Sequence, residues 1–104
     1  AIIKKELAYY QAIKIYNGPQ LSRHLVIDDK ETEFILLDVG WFKDRYISDL
    51  VFHIQLKNNQ VWIHADHTDI EIAEILAKEG IPKKDICLAF LPEYARDLVE
   101  YAVP

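Results

Sequence analysis

The sequence predicts one α+β domain, residues 1–104, in which an antiparallel meander sheet packs against helices in the order α-β-β-β-β-α-β. Apolar residues recur at helical spacing over residues 2–15 and again after residue 68, whereas the period between residues 21 and 66 is two. No Gly/Ser linker, internal repeat or low-complexity tract divides the chain. The changes of period therefore define the elements of a single unit.

The first element is a helix over residues 2–15. Ile3, Leu7 and Tyr10 recur on one face, and Asn17-Gly18-Pro19 then stops the helix. The helix has no N-capping residue and the sequence has no initiator methionine, so we expect its first turns to precede residue 1.

Four strands are expected next, over residues 23–28, 34–41, 46–57 and 60–66. The shortest turn between them, Asn58-Asn59, suits a two-residue hairpin because Asn tolerates positive φ. This turn fixes the register of the last hairpin, whose pairs are Lys57–Gln60, Gln55–Trp62, Ile54–Ile63, His53–His64 and Val51–Asp66. The hairpin that turns at Lys43-Asp44 places Asp38 opposite Asp49.

This register sorts the strand side chains onto two faces. The apolar set is expected to form the core, and it contains Ile35, Leu37, Val39, Trp41, Leu50, Phe52, Ile54 and Ile63. The second face is expected to be polar, with Asp38, Asp49, His53, Gln55, Trp62, His64 and Asp66, and it also carries Phe34, Leu36 and Val51. The prediction thus gathers three carboxylates and two imidazoles on one surface.

A second helix follows over residues 69–79. Thr68 and Glu71 match a capping box, and Gly80 ends the helix before Pro82. A fifth strand is expected at residues 86–90. The tail, residues 93–104, fits either a helix or an edge strand.

Composition restricts the function. Seventeen acidic residues against 12 basic ones give a net charge of −5, which argues against direct DNA binding through phosphate contacts. Cys87, the single cysteine, lies in an apolar run as a small buried residue and points to a reducing, cytoplasmic location. No apolar stretch is long enough for a membrane span.

The polar residues of the second face allow two readings. His53, His64 and Asp66, with His67 nearby, offer imidazole and carboxylate ligands for a transition metal, and hence a small metal-dependent enzyme. Alternatively these are ordinary solvated residues, with Asp38 and Asp49 neutralised by Arg23 or Arg45. Their spacing matches no specific metal motif, so the second reading is preferred and neither a metal nor another cofactor is expected.

The same face offers a better candidate for binding than for catalysis. Ser22 and Ser48 lie in ordinary strand contexts, and the three glycines form no phosphate-binding loop, so the sequence predicts a protein that is not an enzyme. Trp62 is expected to face outward beside Gln55 and His53, and an outward tryptophan among polar residues is typical of a partner anchor. The predicted partner surface comprises Trp62, His53, Gln55, Asp66, Asp38 and Asp49.

Several motifs follow one another along the chain, namely Leu36-Leu37-Asp38-Val39-Gly40-Trp41, Val51-Phe52-His53-Ile54, Val61-Trp62-Ile63, Asp66-His67-Thr68-Asp69, Gly80-Ile81-Pro82 and Ile86-Cys87-Leu88-Ala89-Phe90. Together they make the chain resemble the XisI family, whose members are called fdxN-element excision controlling factors. This chain departs from the family at four positions. The family more often has Asn where this chain has Asp38, Gly where it has Asp49, Gln where it has His64 and Gly where it has His67.

The resemblance implies an accessory protein that acts with a companion, the nuclease-fold protein XisH, to control excision of a DNA element by a site-specific recombinase. It implies no catalytic residues. An adaptor of a XisH-type protein that is unrelated to excision stays open as an alternative, and a homo-oligomer is a further possibility. The acidic surface would suit a basic protein partner better than DNA.

Overall fold

The structure, a computed structural model, describes residues 2–12, 21–68, 71–102 and 104. These residues form two helices, α1 (Ile2–Ala12) and α2 (Ile72–Lys78), and five strands, β1 (Leu21–Ile27), β2 (Glu33–Phe42), β3 (Arg45–Lys57), β4 (Gln60–Asp66) and β5 (Ile86–Leu88). Short 3₁₀ turns lie at Lys83–Asp85 and Glu93–Leu98. The predicted α+β class and element order are confirmed.

The strands form one sheet in the order β1-β2-β3-β4-β5. Strands β1 to β4 pair antiparallel as consecutive hairpins, as predicted. Strand β5 instead runs parallel to β4, because α2 carries the chain back along the sheet before β5 begins. The prediction of a wholly antiparallel sheet is therefore wrong at its last strand.

Two β-bulges divide the predicted register into correct and shifted parts. In β3, Leu50 pairs with Leu37 but Phe52 pairs with Leu36, so Val51 is an extra residue. In β4, Ile63 pairs with Ile54 but Ala65 pairs with His53, so His64 is extra. The predicted pairs His53–His64 and Val51–Asp66 are wrong, whereas Asp38–Asp49 and Gln55–Trp62 are confirmed.

The bulges change which residues of β2 and β3 enter the core. Both helices pack on one face of the sheet, where the fully buried side chains include Leu7, Phe34, Leu36, Phe52, Ile54, Ile63, Ile72 and Leu76. Phe34 and Leu36 were expected on the second face, and Trp41 was expected in the core, but Trp41 is 53% exposed. The extra residue Val51 exchanges the faces, because strand alternation restarts after it.

Helix α2 begins later than predicted, and its first amide is bound by a residue other than the predicted cap. Its first residue, Ile72, donates its backbone N–H to Asp66 Oδ2 at 2.8 Å. Glu71 has a left-handed φ of 57° and makes no side-chain capping bond, so the predicted capping box is wrong. The carboxylate at the end of β4 therefore supplies an acceptor for the helix start.

The tail is mostly irregular. Residues 93–98 form the second 3₁₀ turn, and Ala102 makes an isolated parallel bridge to Cys87, which is buried as predicted. The predicted end of the first helix, including Asn17-Gly18-Pro19, lies outside the described residues. Among the described residues, no helix is long and apolar enough to cross a membrane.

Candidate partner-binding face

The face of the sheet opposite α1 and α2 is the candidate site, and we call it the open face. By strand alternation its apolar and aromatic side chains include Val26, Ile35, Leu37, Val39, Trp41, Tyr46, Leu50 and Trp62, and its polar ones include Ser22, His24, Glu33, Ser48, His53, Gln55, Lys57 and His64. Of the six residues predicted to bind a partner, the open face contains Trp62, His53 and Gln55. Asp38, Asp49 and Asp66 lie on the helix-covered side, because Asp38 shares its face with Leu36 and Asp66 pairs with Phe52.

Two histidines form the polar centre of the open face. The rings of His53 and His64 lie 4.8 Å apart between centroids. His53 Nε2 is 2.9 Å from Glu33 Oε1, and His64 Nε2 is 2.8 Å from Gln55 Oε1. Burial lowers the pKa of His64, and the neighbouring His53 lowers it further. The pair is therefore held by hydrogen bonds on three strands.

Trp62 extends this centre toward the β3–β4 turn. Its ring stacks on His64 with centroids 6.3 Å apart, and Lys57 Nζ lies 4.5 Å from the ring centroid. Its Nε1 atom is buried and has no hydrogen-bond partner among the described residues. Trp62 thus offers a partner its ring rather than its N–H group.

Two of the three carboxylates predicted to bind a partner, Asp38 and Asp66, have structural roles on the helix-covered side. Arg23 Nε donates to Asp38 Oδ1 at 2.8 Å, and Arg23 Nη1 donates to the Tyr10 carbonyl at 3.1 Å, which ties β1 and β2 to α1. Asp66 accepts from the Thr68 amide and hydroxyl and from Ile72. Asp49 is exposed beside a polar cleft of about 370 Å³.

The metal alternative finds no assembled ligand set. His53 and His64 meet, but Asp66 lies on the other side of the sheet and His67 Nδ1 contacts the Leu50 carbonyl at 2.9 Å. Across the described parts of the chain, no group of three or more His, Cys, Asp or Glu side chains could hold a metal ion. The three ligands proposed from sequence therefore do not converge.

Sequence reasoning missed the aromatic end of the open face. Trp41 and Tyr46 pair directly across the β2–β3 hairpin, with ring centroids 5.3 Å apart and planes at 69°. They are 53% and 57% exposed. The predicted register already placed Trp41 and Tyr46 opposite each other. Their position next to the turn, beyond the ends of the neighbouring strands, is the signal that could have predicted their exposure to solvent.

Comparison with known proteins places this geometry in a family. The family model described as XisI protein matches residues 1–103. A XisI-like protein from Anabaena variabilis ATCC 29413 has 27% identity and a TM-score of 0.87, over 99% of this chain and 94% of that chain. The fdxN element excision controlling factor XisI from the same organism has 26% identity and a TM-score of 0.74, over 97% of this chain and 90% of that chain. No curated protein matches the sequence.

Proposed function

Because this chain belongs to the XisI family, we propose that it is a non-catalytic accessory protein that controls excision of a DNA element through a protein partner. A neighbour of similar structure is itself described as an fdxN element excision controlling factor. The partner proposed by resemblance is a XisH-type protein, and the recombinase would be reached through it. Location in the cytoplasm is part of the same proposal.

The observation that carries the proposal is the position of Trp62 on the open face, where Lys57 and His64 contact its ring. A tryptophan held by Lys57 and His64 is restrained before a partner arrives, so little rotamer entropy remains to be lost on binding. Aromatic side chains of this kind dominate the energetics of protein interfaces. We therefore assign Trp62, with Gln55 and His53 around it, as the partner contact.

The charge balance supports a protein partner rather than DNA. The chain carries a net charge of −5. Asp38 is neutralised by Arg23, but Asp49 stays exposed on the helix-covered side. Repulsion from phosphates would oppose tight DNA binding, whereas a basic protein surface would be attracted.

The polar contacts also support a binding role rather than catalysis. Ser22 Oγ lies 2.8 Å from His24 Nε2, the arrangement of a nucleophile and a base. However, Ser22 Oγ also donates to the Val39 carbonyl at 3.3 Å, and both side chains stand exposed on the outer strand β1. The pair therefore lacks a sheltered setting and, among the described residues, a third group that orients the imidazole.

The test is binding between this chain and a XisH-type protein, measured by co-purification and calorimetry. Replacing Trp62 by Ala is expected to weaken binding at least about tenfold, as for an interface anchor. The control Tyr94→Ala removes an aromatic that is 86% exposed outside the open face, and binding should change by less than about twofold.

Two outcomes contradict the proposal. Absence of binding by the wild-type chain excludes the XisH-type partner, and unchanged binding by the Trp62→Ala variant excludes the contact. If that variant unfolds, Gln55→Arg provides the second probe, because Gln55 pairs with Trp62 at the surface of the sheet. Binding without any effect on excision would favour an adaptor that is unrelated to excision.

A further inference from the structure

A cavity of about 250 Å³ lies where β4 and β5 end. These two strands run parallel and α2 connects them, so their carboxyl ends lie at the same end of the sheet. In open sheets built from such β-α-β units, ligands bind outside the carboxyl ends of the strands. The cavity is lined by Ile63, a core residue, and is therefore on the opposite side of the sheet from Trp62 and the open face.

The cavity combines an apolar interior with an aromatic wall. Its lining residues Ile63, Ile72 and Ala73 are buried, whereas Phe90 is 54% exposed and lies at the mouth. The ring of Tyr101 lines a further side. An apolar cavity of about 150 Å³ is already large enough to hold benzene. The volume here therefore suits a molecule with one ring or a short chain and one polar group.

The polar part of the lining is acidic. Asp66, Glu71 and Glu74 line the cavity, and the described lining contains no lysine, arginine or histidine. Burial raises the pKa of the Tyr101 hydroxyl, and the hydrogen bond to Glu74 and the negative charges of Glu74 and Glu71 raise it further. Both glutamates therefore act on the aromatic wall. The resulting negative potential favours a cation in the cavity.

One of these carboxylates is held in place before a ligand arrives. Tyr101 Oη donates to Glu74 Oε1 at 2.5 Å, and Glu74 lies in the first turn of α2. A carboxylate accepts several hydrogen bonds, so Glu74 keeps acceptor capacity for a donor on the ligand. Because its side chain is already ordered, little freedom is lost on binding. The rings of Phe90 and Tyr101 add to the attraction, since aromatic faces attract cations.

An anionic ligand is disfavoured at the same place. The first amide of α2, at Ile72, already donates to Asp66 Oδ2 at 2.8 Å. Lys83 Nζ lies 5.5 Å from the centroid of the Tyr101 ring, but it pairs with Glu100 at 3.3 Å and does not line the cavity. Within the described lining, an anion would meet three carboxylates and no compensating cation.

From these observations we propose that the cavity binds a small organic ammonium ion. Its apolar ring or chain lies against Ile63 and Ile72, and its ammonium group lies beside Glu71 and Glu74. The concave shape suits a free small molecule, which a cavity can enclose more completely than a flat surface can. This inference does not depend on the proposed function, because the cavity and the open face lie on opposite sides of the sheet.

The test is methyl NMR of the purified chain during titration with phenethylamine, which is an ammonium ion at neutral pH. We expect the methyl resonances of Ile63 and Ile72 to shift, with a dissociation constant of about 1 mM for so small a probe. The methyl resonances of Ile35, on the open face, should not shift. Phenethyl alcohol has the same size without the charge, and it should bind at least about tenfold more weakly.

Variants separate the contribution of charge from that of the apolar interior. Glu71→Gln combined with Glu74→Gln should weaken phenethylamine binding at least about fivefold and change phenethyl alcohol binding less than about twofold. The matched control Glu93→Gln removes an exposed carboxylate outside the described lining, and the affinity for both probes should be unchanged. Ala73→Leu fills the cavity and should abolish binding of both probes. Circular dichroism checks that each variant folds.

Three results overturn the proposal. The first is that phenethylamine, at concentrations well above the expected dissociation constant, leaves Ile63 and Ile72 unshifted. The second is that phenethylamine binds no more tightly than phenethyl alcohol, or equally well to the double variant of Glu71 and Glu74. The third is that a folded Ala73→Leu variant binds phenethylamine like the wild type. If Ala73→Leu does not fold, the comparison of the two probes and the double variant still decides.

Discussion

His64 contacts His53 with ring centroids 4.8 Å apart, although the strand ladder pairs His53 with Ala65. The contact exists because His64 is the extra residue of a β-bulge, which turns its side chain toward the neighbouring strand. A bulge thus places two titratable rings together at the centre of the open face. Burial lowers the pKa of His64 at this position, so the stability of the fold depends on pH.

We predict that His64→Gln reduces the loss of stability on acidification. In the folded chain the pKa of His64 lies below the ordinary value of 6.5, chiefly because of burial, so the unfolded chain binds this proton more readily. Stability is therefore lost as the pH falls through 6.5, and Gln removes that loss. His53 and Lys57 add to the lowering, whereas Glu33 opposes it.

Urea unfolding at pH 7.5 and pH 5.5 measures the effect. Because His64 is largely solvent-screened, the difference between wild type and variant should be less than about 1 kcal/mol. His24→Gln, on the outer strand β1, is the matched control. Equal acid-dependent losses in wild type and His64→Gln would show that folding does not lower the pKa of His64.

A second prediction concerns Glu6 on α1, whose carboxyl interacts with Glu79 just beyond α2. Burial raises the pKa of Glu6, and the hydrogen bond to Glu79 raises it further. A carboxyl whose folded pKa is raised stabilises the fold at low pH, and this contribution disappears as the pH rises through that pKa. At neutral pH the two carboxylates therefore repel each other.

Glu6→Gln should accordingly raise the unfolding free energy at pH 7, by about 0.5 kcal/mol or less after screening. The gain should vanish near pH 4, where Glu6 is protonated in the wild type. Thermal unfolding at the two pH values measures it, and Lys5→Gln on the same helix provides a control for loss of a charge. A gain that is independent of pH would indicate improved helix propensity instead.

A third prediction compares two ion pairs of different burial. Arg23 and Asp38 are 19% and 16% exposed, and Arg23 also bonds α1 through the Tyr10 carbonyl. Arg23→Ala leaves a poorly solvated carboxylate and a carbonyl without this donor, so it should cost about 2 kcal/mol. Lys4→Ala breaks the exposed pair with Glu31 and should cost less than about 0.5 kcal/mol.

Chemical denaturation of both variants decides whether the Arg23 contacts hold α1 to the sheet. Asp38→Asn, which keeps an acceptor for Arg23, should lose less stability than Arg23→Ala. Similar small losses for Arg23→Ala and Lys4→Ala would mean that α1 is held by its apolar contacts alone.

The strands of this fold could be predicted from sequence, but the assignment of faces could not. Alternation identified β1 to β4, and the Asn58-Asn59 turn gave the correct register as far as Ile54 and Ile63. A bulge leaves alternation intact on both sides of the extra residue, so the sequence does not reveal it. Leu50, Val51 and Phe52 are all apolar, and either register buries some of them.

The candidate site was partly predicted for the same reason. Trp62 and Gln55 lie together because their part of the register precedes the bulge in β4, and His53 shares their face because β3 alternates regularly between His53 and Gln55. Asp38 and Asp66 lie on the helix-covered side instead. There Asp38 pairs with Arg23, and Asp66 accepts a hydrogen bond from the Ile72 amide. Trp41 was misplaced because an aromatic residue in an apolar strand is ordinarily a core residue.

The last prediction concerns Asp66, which we expect to be structural rather than part of a partner surface. Its carboxylate accepts three hydrogen bonds, from the Thr68 amide and hydroxyl and from the first amide of α2 at Ile72. Asp66→Ala should therefore lower the unfolding free energy by about 1–2 kcal/mol, as for the loss of a helix cap. Asp66→Asn keeps one acceptor oxygen and should cost about half as much. The control is Asp49→Ala, an exposed carboxylate on the same side of the sheet, for which no loss is expected.

Binding to the XisH-type protein, measured on Asp66→Asn under conditions where it is folded, should equal that of the wild type. Weaker binding without a change in stability would return Asp66 to the partner surface.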